Sequence, residues 1–386
     1  MNAHHPCLKL ALVTETWPPE INGVAITLRH LVRGLRERGH AVHLVRPRQQ
    51  AHEIPAHQPG WRETLVRGLA IPRYDALKLG LPARGQLREL WRSERPDVVH
   101  VATEGPLGWS AVNAARDLGL PVTTDFHTNF HSYTRHYGIG WLERPVVAYL
   151  RRLHNRTRCT MVPTEELGTE LAALGLQNLL VVARGVDTRL FDPARRDLAL
   201  RRSWGAQPED PVALFVSRIA PEKNLPLLME TFAAVRAADP RTRLVVVGDG
   251  PARALLQRRY PAAIYTGARV DEDLATQYAS ADLFLYPSTS ETFGNVTLEA
   301  MASGLAVLAY DYAAARMHIR SGVNGLTVPV DDRNAFIHGA LTLAREPALR
   351  GRLGAAARAA MLTIDWRDIV LEFERALLEH AGAGVR

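Results

Sequence analysis

Cysteine is scarce in this sequence. Its 386 residues contain two, Cys7 and Cys159, each in an apolar stretch. Two thiols make no disulfide framework, and the pattern reads as a chain of a reducing compartment. Long apolar runs are lacking too. None approaches the ~20 residues that a helix needs to cross a bilayer. The start, MNAHHPCLKLALVTETW, has no basic opening, no long apolar stretch and no small-residue cleavage site. It is expected to form a first β-strand rather than a signal peptide. No Cys/His cluster has metal spacing, no G-x-G-x-x-G fingerprint of dinucleotide binding occurs, and no lysine motif suits a pyridoxal cofactor.

What is present is ordinary for a soluble globular protein: 47% apolar and 23% charged residues. The length exceeds what one hydrophobic core usually holds, so two domains are expected. The net charge of +7 is uneven. Residues 1–190 hold 24 Lys and Arg against 17 Asp and Glu, whereas residues 191–386 hold 23 against 23. The first half also carries 12 of the 15 histidines. It should therefore prefer an anionic partner, unless the excess is only an arginine-rich composition.

The elements alternate. LKLALVTETW, AVHLVRP, PDVVHVAT, PVTTDFHT, CTMVPT and LLVVARGVD read as strands. GVAITLRHLVRGLRERGH is an amphipathic helix with Leu28, Leu31, Val32 and Leu35 at helical spacing and Gly39 as its stop. WSAVNAARDLG and EELGTELAALG are helices as well. A polar linker rich in Pro and Arg, Thr188–Glu209, precedes a second series: PVALFVSRI, RLVVVGDG, AAIYTG, DLFLYPS and AVLAYD as strands, with helices between. DLFLYPS is read as ending at Ser288. This βαβ alternation predicts an α/β protein with two Rossmann-like, doubly wound parallel sheets facing across a cleft. DWRDIVLEFERALLEHAG is a final amphipathic helix.

Ligands of open parallel sheets bind beyond the carboxyl ends of the strands. The polar residues there are the candidates. Gly23, before the first helix, lets backbone N–H groups approach a phosphate, or it simply completes an Asn-Gly turn. Asp125, His127 and His131 cluster after the fourth strand. In VVGDGP the third glycine of a dinucleotide loop is replaced by Arg253. Arg218 and Lys223 flank a strand-to-helix turn, where two cations suit a diphosphate; the alternative is solvated loop charge. Glu291 and Glu299 bracket a helix start near Asn295, whose free N–H groups can hold an anion. Glu299 alone is also explained as a helix-dipole glutamate. Asp271 to Asp273 forms a D-x-D, here in the first turn of a helix, where acidic residues need no metal.

Taken in order, PPEINGVA, DFHT, ARGVD, SRIAPEKN, VVGDGP, SADLFLYPS, the E-x7-E segment ETFGNVTLE, EAMASGLAVLAYD and SGVNGLTVPVDD cover nearly the whole chain. The sequence resembles the retaining GT-B glycosyltransferases of family 4, and within them the GDP-mannose-dependent α-mannosyltransferases. Sulfoquinovosyl- and glucosyl-diacylglycerol synthases look like near relatives. The resemblance implies an acceptor-side domain over 1–190, a donor-binding domain over 191–365, and a helix over 366–386 that crosses back to the first. It implies that Gly23, Arg218 and Lys223 meet the donor diphosphate and that Thr292, Phe293, Gly294 and Asn295 lie along the donor sugar. Val296 and Thr297 would lie near the phosphate. Glu291 would bind sugar hydroxyls, Glu299 the ribose, and Arg269 with Val270 the base. His127 would sit beside the sugar carbon under attack, and Arg184 at the domain junction. His127, Glu291, Arg218 and Lys223 are the residues it assigns to catalysis.

The expectation is a metal-independent, cofactor-free hexosyltransferase with a nucleotide diphosphate sugar as donor, mannose favoured, and a lipid-linked or glycolipid acceptor. A UDP-sugar-dependent diacylglycerol or polysaccharide transferase is the alternative within that class. A nucleotide-sugar epimerase and a non-catalytic nucleotide-sugar binding module are the alternatives outside it; a phosphorylase does not fit the missing lysine motif. No nucleic-acid partner is expected. RHLVRGLRERGH and YLRRLHNRTR combine cations with apolar residues. They suit either an anionic membrane surface or helices packed inward with solvated arginines. The expected location is cytoplasmic, peripheral on the inner face of the plasma membrane.

Overall fold

A computed structural model of the chain describes residues 7–50, 52–71, 74–127 and 143–381. The chain divides into two compact units. One comprises Met1–Arg184 with Trp366–Arg386, the other Gly185–Asp365. The division falls between Arg184 and Gly185, ahead of the 190/191 boundary read from the sequence.

The first unit is built on β1 (Lys9–Val13), β2 (Ala41–Pro47), β3 (His57–Gln58), β4 (Trp61–Val66), β5 (Gly68–Ile71), β6 (Tyr74–Gly80), β7 (Val98–Val101), β8 (Val122–Asp125), β9 (Cys159–Val162) and β10 (Leu179–Val181). Eight of them form one sheet in the order β10-β9-β8-β7-β1-β2-β4-β3, parallel except for the β3–β4 pair. β5 and β6 form a separate antiparallel ribbon. Its helices are α1 (Gly23–Glu37), α2 (Arg84–Ser93), α3 (Pro106–Asp117), α4 (Glu143–His154) and α5 (Glu165–Ala173). β3 to β6 and α2 were not legible, because HQ and GLAI are too short for a period-2 pattern and WRETLV alternates weakly.

The central strands read as continuous apolar runs because helices cover both sheet faces. Leu28, Leu31, Val32 and Leu35 of α1 are buried with Ile369, Val370, Phe373 and Leu377 of the C-terminal helix Trp366–His380 in a single cluster. The apolar stripe of α1 is thus spent inside its unit, and its arginines are left to solvent.

The second unit carries β11 (Val212–Val216), β12 (Arg243–Val247), β13 (Ile264–Gly267), β14 (Leu283–Tyr286), β15 (Ala306–Tyr310) and β16 (Leu326–Val328). All are parallel, in the order β13-β12-β11-β14-β15-β16. This is the doubly wound Rossmann order, with its switch point between β11 and β14. The helices are α6 (Leu198–Ser203), α7 (Leu225–Ala238), α8 (Arg253–Arg259), α9 (Asp271–Ala279), α10 (Asn295–Ala302), α11 (Ala313–His318), α12 (Arg333–Arg345) and α13 (Pro347–Met361). β14 ends at Tyr286, before Pro287 and short of Ser288, since proline has no N–H for the ladder.

The polar segment read as a linker is a folded part of this unit. Asp197 caps α6 by accepting from the N–H groups of Ala199 and Leu200. Arg201 is buried, donating to Ser280 O, Asp210 O and the Asp282 carboxylate. Arg358 donates to Thr188 O and Phe191 O and pairs with Asp192. Guanidinium groups that satisfy several carbonyls let a polar stretch pack as if it were core. A hydrophobicity pattern does not reveal this.

Candidate active site

In the second unit Arg218, Lys223, Glu291 and the segment Thr292 to Glu299 gather at the switch point, whereas Arg269 and Val270 follow the edge strand β13. The chain leaves β11 at Ser217 and turns through Arg218 to a short 3-10 turn, Pro221–Lys223. The loop after β12 holds this turn by its backbone: Ser217 N–H donates to Val247 O at 3.1 Å and Ile219 N–H to Asp249 O at 2.9 Å. A Cβ at Gly248 would stand 1.9 Å from Ser217 O, and one at Gly250 2.4 Å from Ile219 O, both at positive φ. The Gly-Asp-Gly of VVGDGP is therefore a backbone socket for the Arg218 turn, and only glycine fits it. Arg218 pairs with the carboxylate of buried Glu222.

The next strand, β14, delivers Ser288 and Glu291. Glu291 Oε1 accepts from the Lys223 ammonium, from Tyr286 Oη at 2.6 Å and from Ser288 Oγ at 2.6 Å. Its own N–H donates to the Tyr312 hydroxyl. Burial alone would raise the Glu291 pKa. Lys223 and the hydroxyl donors outweigh burial and hold it below the usual carboxylate range. Burial and the neighbouring Glu291 push Tyr286 well above the usual phenol range, so it stays a donor.

Gly294, at φ +96°, caps α10 in the left-handed region. Thr292 to Gly294 thus turn directly into the first turn of α10, Asn295 to Thr297, where Thr297 N–H donates to Gly294 O at 3.0 Å. Phe293 anchors the turn: its ring is buried edge-on to His318 at 6.1 Å, and its carbonyl accepts from Ala314 N–H at 2.9 Å. Val296 packs partly buried on the core and Thr297 is buried. Glu299 lies one turn inside, accepting from Tyr278 Oη at 2.9 Å. Burial raises its pKa to about 7, against the lowering effect of that bond. Arg269 and Val270 stand on the loop entering α9, with Val270 exposed and Arg269 3.9 Å from Asp273. Asp271 to Asp273 form the first turn of α9.

In the first unit Gly23 opens α1, capped by Asn22, whose Oδ1 accepts from Ala25 N–H at 2.9 Å. His127 follows β8. Its Nε2 lies 2.8 Å from Asp125 Oδ2, and its Nδ1 meets Arg184 Nη2 at 3.2 Å. Arg184 also donates to Val182 O and Ala183 O. His131 lies outside the described residues. Tyr286, Ser288, Tyr312, Tyr278 and Glu222 escaped the sequence reading. Tyr286 and Ser288 stand in YPS, at the end of a read strand, and carried that much signal; the others make their contacts only through the fold.

Comparison with known proteins fits this geometry. One family model, described as Glycosyltransferase Family 4, matches residues 21–190, and another, described as glycosyl transferases group 1, matches residues 210–346. A GDP-mannose-dependent alpha-mannosyltransferase of Mycolicibacterium smegmatis is 36% identical over 361 residues, 93% of this chain and 94% of that one. The chain belongs to glycosyltransferase family 4. This family-4 enzyme is also 30% identical, over 319 residues, to an alpha-monoglucosyldiacylglycerol synthase of Streptococcus pneumoniae, covering 78% of this chain and 71% of the relative. Its fold matches that of a sucrose-phosphate synthase from Thermosynechococcus elongatus with a TM-score of 0.78 at 19% identity, over 96% and 98% of the two chains. The fold is GT-B, and the chain is a glycosyltransferase.

Proposed function

We propose that this glycosyltransferase moves a hexose, mannose in first place, from a nucleoside diphosphate to a lipid-linked or glycolipid acceptor, with retention and without a metal. The observation that carries the reading is the Lys223–Glu291 pair beside the N-terminus of α10, at the switch point of the second unit. The bonds from Lys223, Tyr286 and Ser288 to the Glu291 carboxylate fall on Oε1, and the reading assigns Oε2 to a sugar hydroxyl. Arg218, Lys223 and the first turn of α10 supply positive charge where a departing diphosphate becomes more negative. Preorganised charge of this kind lowers a barrier because it needs no reorganisation as the reaction proceeds. The bond from the sugar carbon to the phosphate oxygen breaks, and the bond to the acceptor oxygen forms on the same face. The acceptor's hydroxyl proton passes to the departing phosphate oxygen. Glu299 accepts from the ribose, and Arg269 with Val270 receives the base. Mannose and a glycolipid acceptor are supported by the relatives' activities.

The test is a thermal-shift panel of GDP-mannose, UDP-glucose, UDP-galactose and UDP-GlcNAc, followed by transfer to lipid acceptors with and without EDTA. A donor at 100 times its Kd stabilises by about 2.7 kcal/mol. Silence from all four overturns the donor reading. Turnover lost in EDTA overturns metal independence, and a trapped glycosyl-enzyme adduct overturns the front-face step. Product from UDP-GlcNAc without acceptor marks an epimerase. Donor binding with no turnover on any acceptor marks a binding module.

A second reading concerns the first unit. α4 exposes Arg144, Arg151 and Arg152, a basic face that suits an anionic membrane surface, while Tyr149 on the same helix is tied to Glu104 O and packs on Trp109. No helix among the described residues is long and apolar enough to cross a membrane. Failure to float with anionic vesicles at low salt would sink this reading.

A further inference from the structure

The His127 imidazole is bonded at Nδ1 and flanked by a carboxylate at Nε2. Arg184 Nη2 stands 3.2 Å from Nδ1. A guanidinium has donors and no acceptor, so Nδ1 must carry a lone pair. The ring proton of neutral His127 is therefore on Nε2, 2.8 Å from Asp125 Oδ2. That contact is short but off the ring N–H axis, so Asp125 acts chiefly as a fixed charge beside the protonated nitrogen. Arg184 is pinned in turn by the carbonyls of Val182 and Ala183. The main-chain N–H of His127 donates to the Glu104 carboxyl. The side chain of His127 is 5% exposed and that of Asp125 0%, which leaves the imidazole little room to turn.

We propose that Asp125 is a positioning residue which, with Arg184, locks His127 as the neutral Nε2–H tautomer, so that His127 shapes the transfer site and exchanges no proton. This rests on the reading in which His127 lines that site. The groups facing the ring are Asp125 on β8, His100 on β7, Glu104 after β7 and Arg184 after β10. His100 Nε2 lies 3.5 Å from the same Asp125 oxygen, and its Nδ1 is 2.9 Å from Thr123 Oγ1. Burial, Arg184 and His100 disfavour an imidazolium and outweigh Asp125, which favours one. A lone pair committed to Arg184 and a proton on Nε2, beside the Asp125 charge, leave no free basic nitrogen. A neutral ring also places no second cation beside Arg184.

The experiment uses the full chain labelled with ¹⁵N-histidine, with His127 assigned from the missing signals of His127→Asn. The expected spectrum shows Nε2–H at His127 from about pH 6 to about pH 8, the range in which an ordinary histidine titrates. An imidazolium that forms as pH falls through about 6.5 overturns the lock. Asp125→Asn is expected to disturb that signature and to lower kcat about 100-fold, the scale of a small misplacement of a site group, with the donor KM within about 3-fold because the donor residues lie in the other unit. Unchanged kcat, or a joint loss of kcat and melting temperature with the tautomer intact, assigns Asp125 a merely structural role and overturns the proposal. Should Asp125→Asn fail to fold, the wild-type spectrum decides alone. If the wild-type chain transfers from no nucleotide sugar, the functional reading fails while the spectrum still tests the lock.

Discussion

Lys223 and Glu291 stand 68 positions apart in sequence and join ammonium to carboxylate at the carboxyl ends of β11 and β14. Adjacent parallel strands that run to opposite sides of a sheet open a crevice between their exits. One residue from each exit closes that crevice here. The pair is nearly buried, and Tyr286 and Ser288 complete the shell of Glu291. Lys223→Met removes the cation but leaves the carboxylate enclosed. Breaking a buried pair from one side costs about 3–5 kcal/mol, and losing one preorganised donor costs about 100- to 1,000-fold in kcat. Adding Glu291→Gln should restore most of the melting temperature and none of the turnover. A double-mutant cycle of melting and kcat measures both. Additive losses in stability would contradict a direct pair.

Glu299 plays a different part, and pH separates it from Glu291. Burial raises its carboxyl to about 7, and the Tyr278 hydroxyl bond opposes that rise only in part. A carboxylate accepts a hydroxyl proton better than a carboxylic acid does. Nucleotide affinity should therefore strengthen as pH rises through about 7. Glu299→Gln should flatten the dependence and Glu299→Ala should weaken binding at every pH. Glu291→Ala should weaken binding and slow turnover. Titration calorimetry with GDP at several pH values reads the first pair, and saturation kinetics the second. A flat wild-type profile would show that Glu299 does not contact the donor.

Gly248 tests the socket beneath Arg218. At φ +134°, with Ser217 O 1.9 Å from a Cβ, Gly248→Ala must displace the turn carrying Arg218. The expected result is a donor KM raised about 10-fold or more, in line with a site group shifted by a fraction of an ångström. Gly322→Ala, also at positive φ but with nothing within 4 Å of its Cβ, should leave KM unchanged and cost only backbone strain. Equal KM effects from the two would remove the socket as an explanation.

Apart from β3 to β6 and α2, most strands and helices were legible because buried parallel strands and amphipathic helices impose patterns on the order of apolar residues. Arg218, Lys223, Glu291 and Glu299 were legible because each sits within a few residues of a strand or helix end. Three kinds of feature were not. Arg201 and Arg358 are core-like through hydrogen bonds, so the segment around 188–209 looked like a linker. Gly248 and Gly250 looked like a weak nucleotide loop, because the carbonyls they accommodate, those of Ser217 and Ile219, belong to a strand exit 31 residues upstream. Tyr278, Tyr286 and Tyr312 read as ordinary core aromatics, since no local pattern tells a buried tyrosine that packs from one whose hydroxyl holds a glutamate.

The C-terminal helix closes the first unit through one glutamate. Glu374 Oε2 meets Arg38 Nη2 at 2.8 Å, and Oε1 meets His40 Nε2 at 2.5 Å. His40 Nδ1 accepts from Leu8 N–H at 3.0 Å, so the proton of neutral His40 sits on Nε2, toward Glu374. Burial opposes ionisation of Glu374, but Arg38 and His40 prevail and hold its pKa below the usual range. A carboxyl whose folded pKa is depressed contributes stability that is fully present above its unfolded pKa and fades as pH falls through the folded value. Glu104 and Glu15, raised by burial to about 8 and about 7, act in the opposite sense. Their contribution is complete only below about pH 4.5 and is lost as pH rises from there through the folded values. For these three carboxyls together the stabilising contribution should peak near pH 4.5, the ordinary value from which all three depart, and fall on either side. Glu374→Ala should lower stability by about 3 kcal/mol at neutral pH and by less in acid. Glu104→Gln should remove much of the decline on the alkaline side. Amide exchange of the C-terminal helix, followed across that range, reports the clasp separately from the second unit. Protection that is indifferent to Glu374→Ala would mean that Ile369, Val370 and Phe373 hold the helix by packing alone.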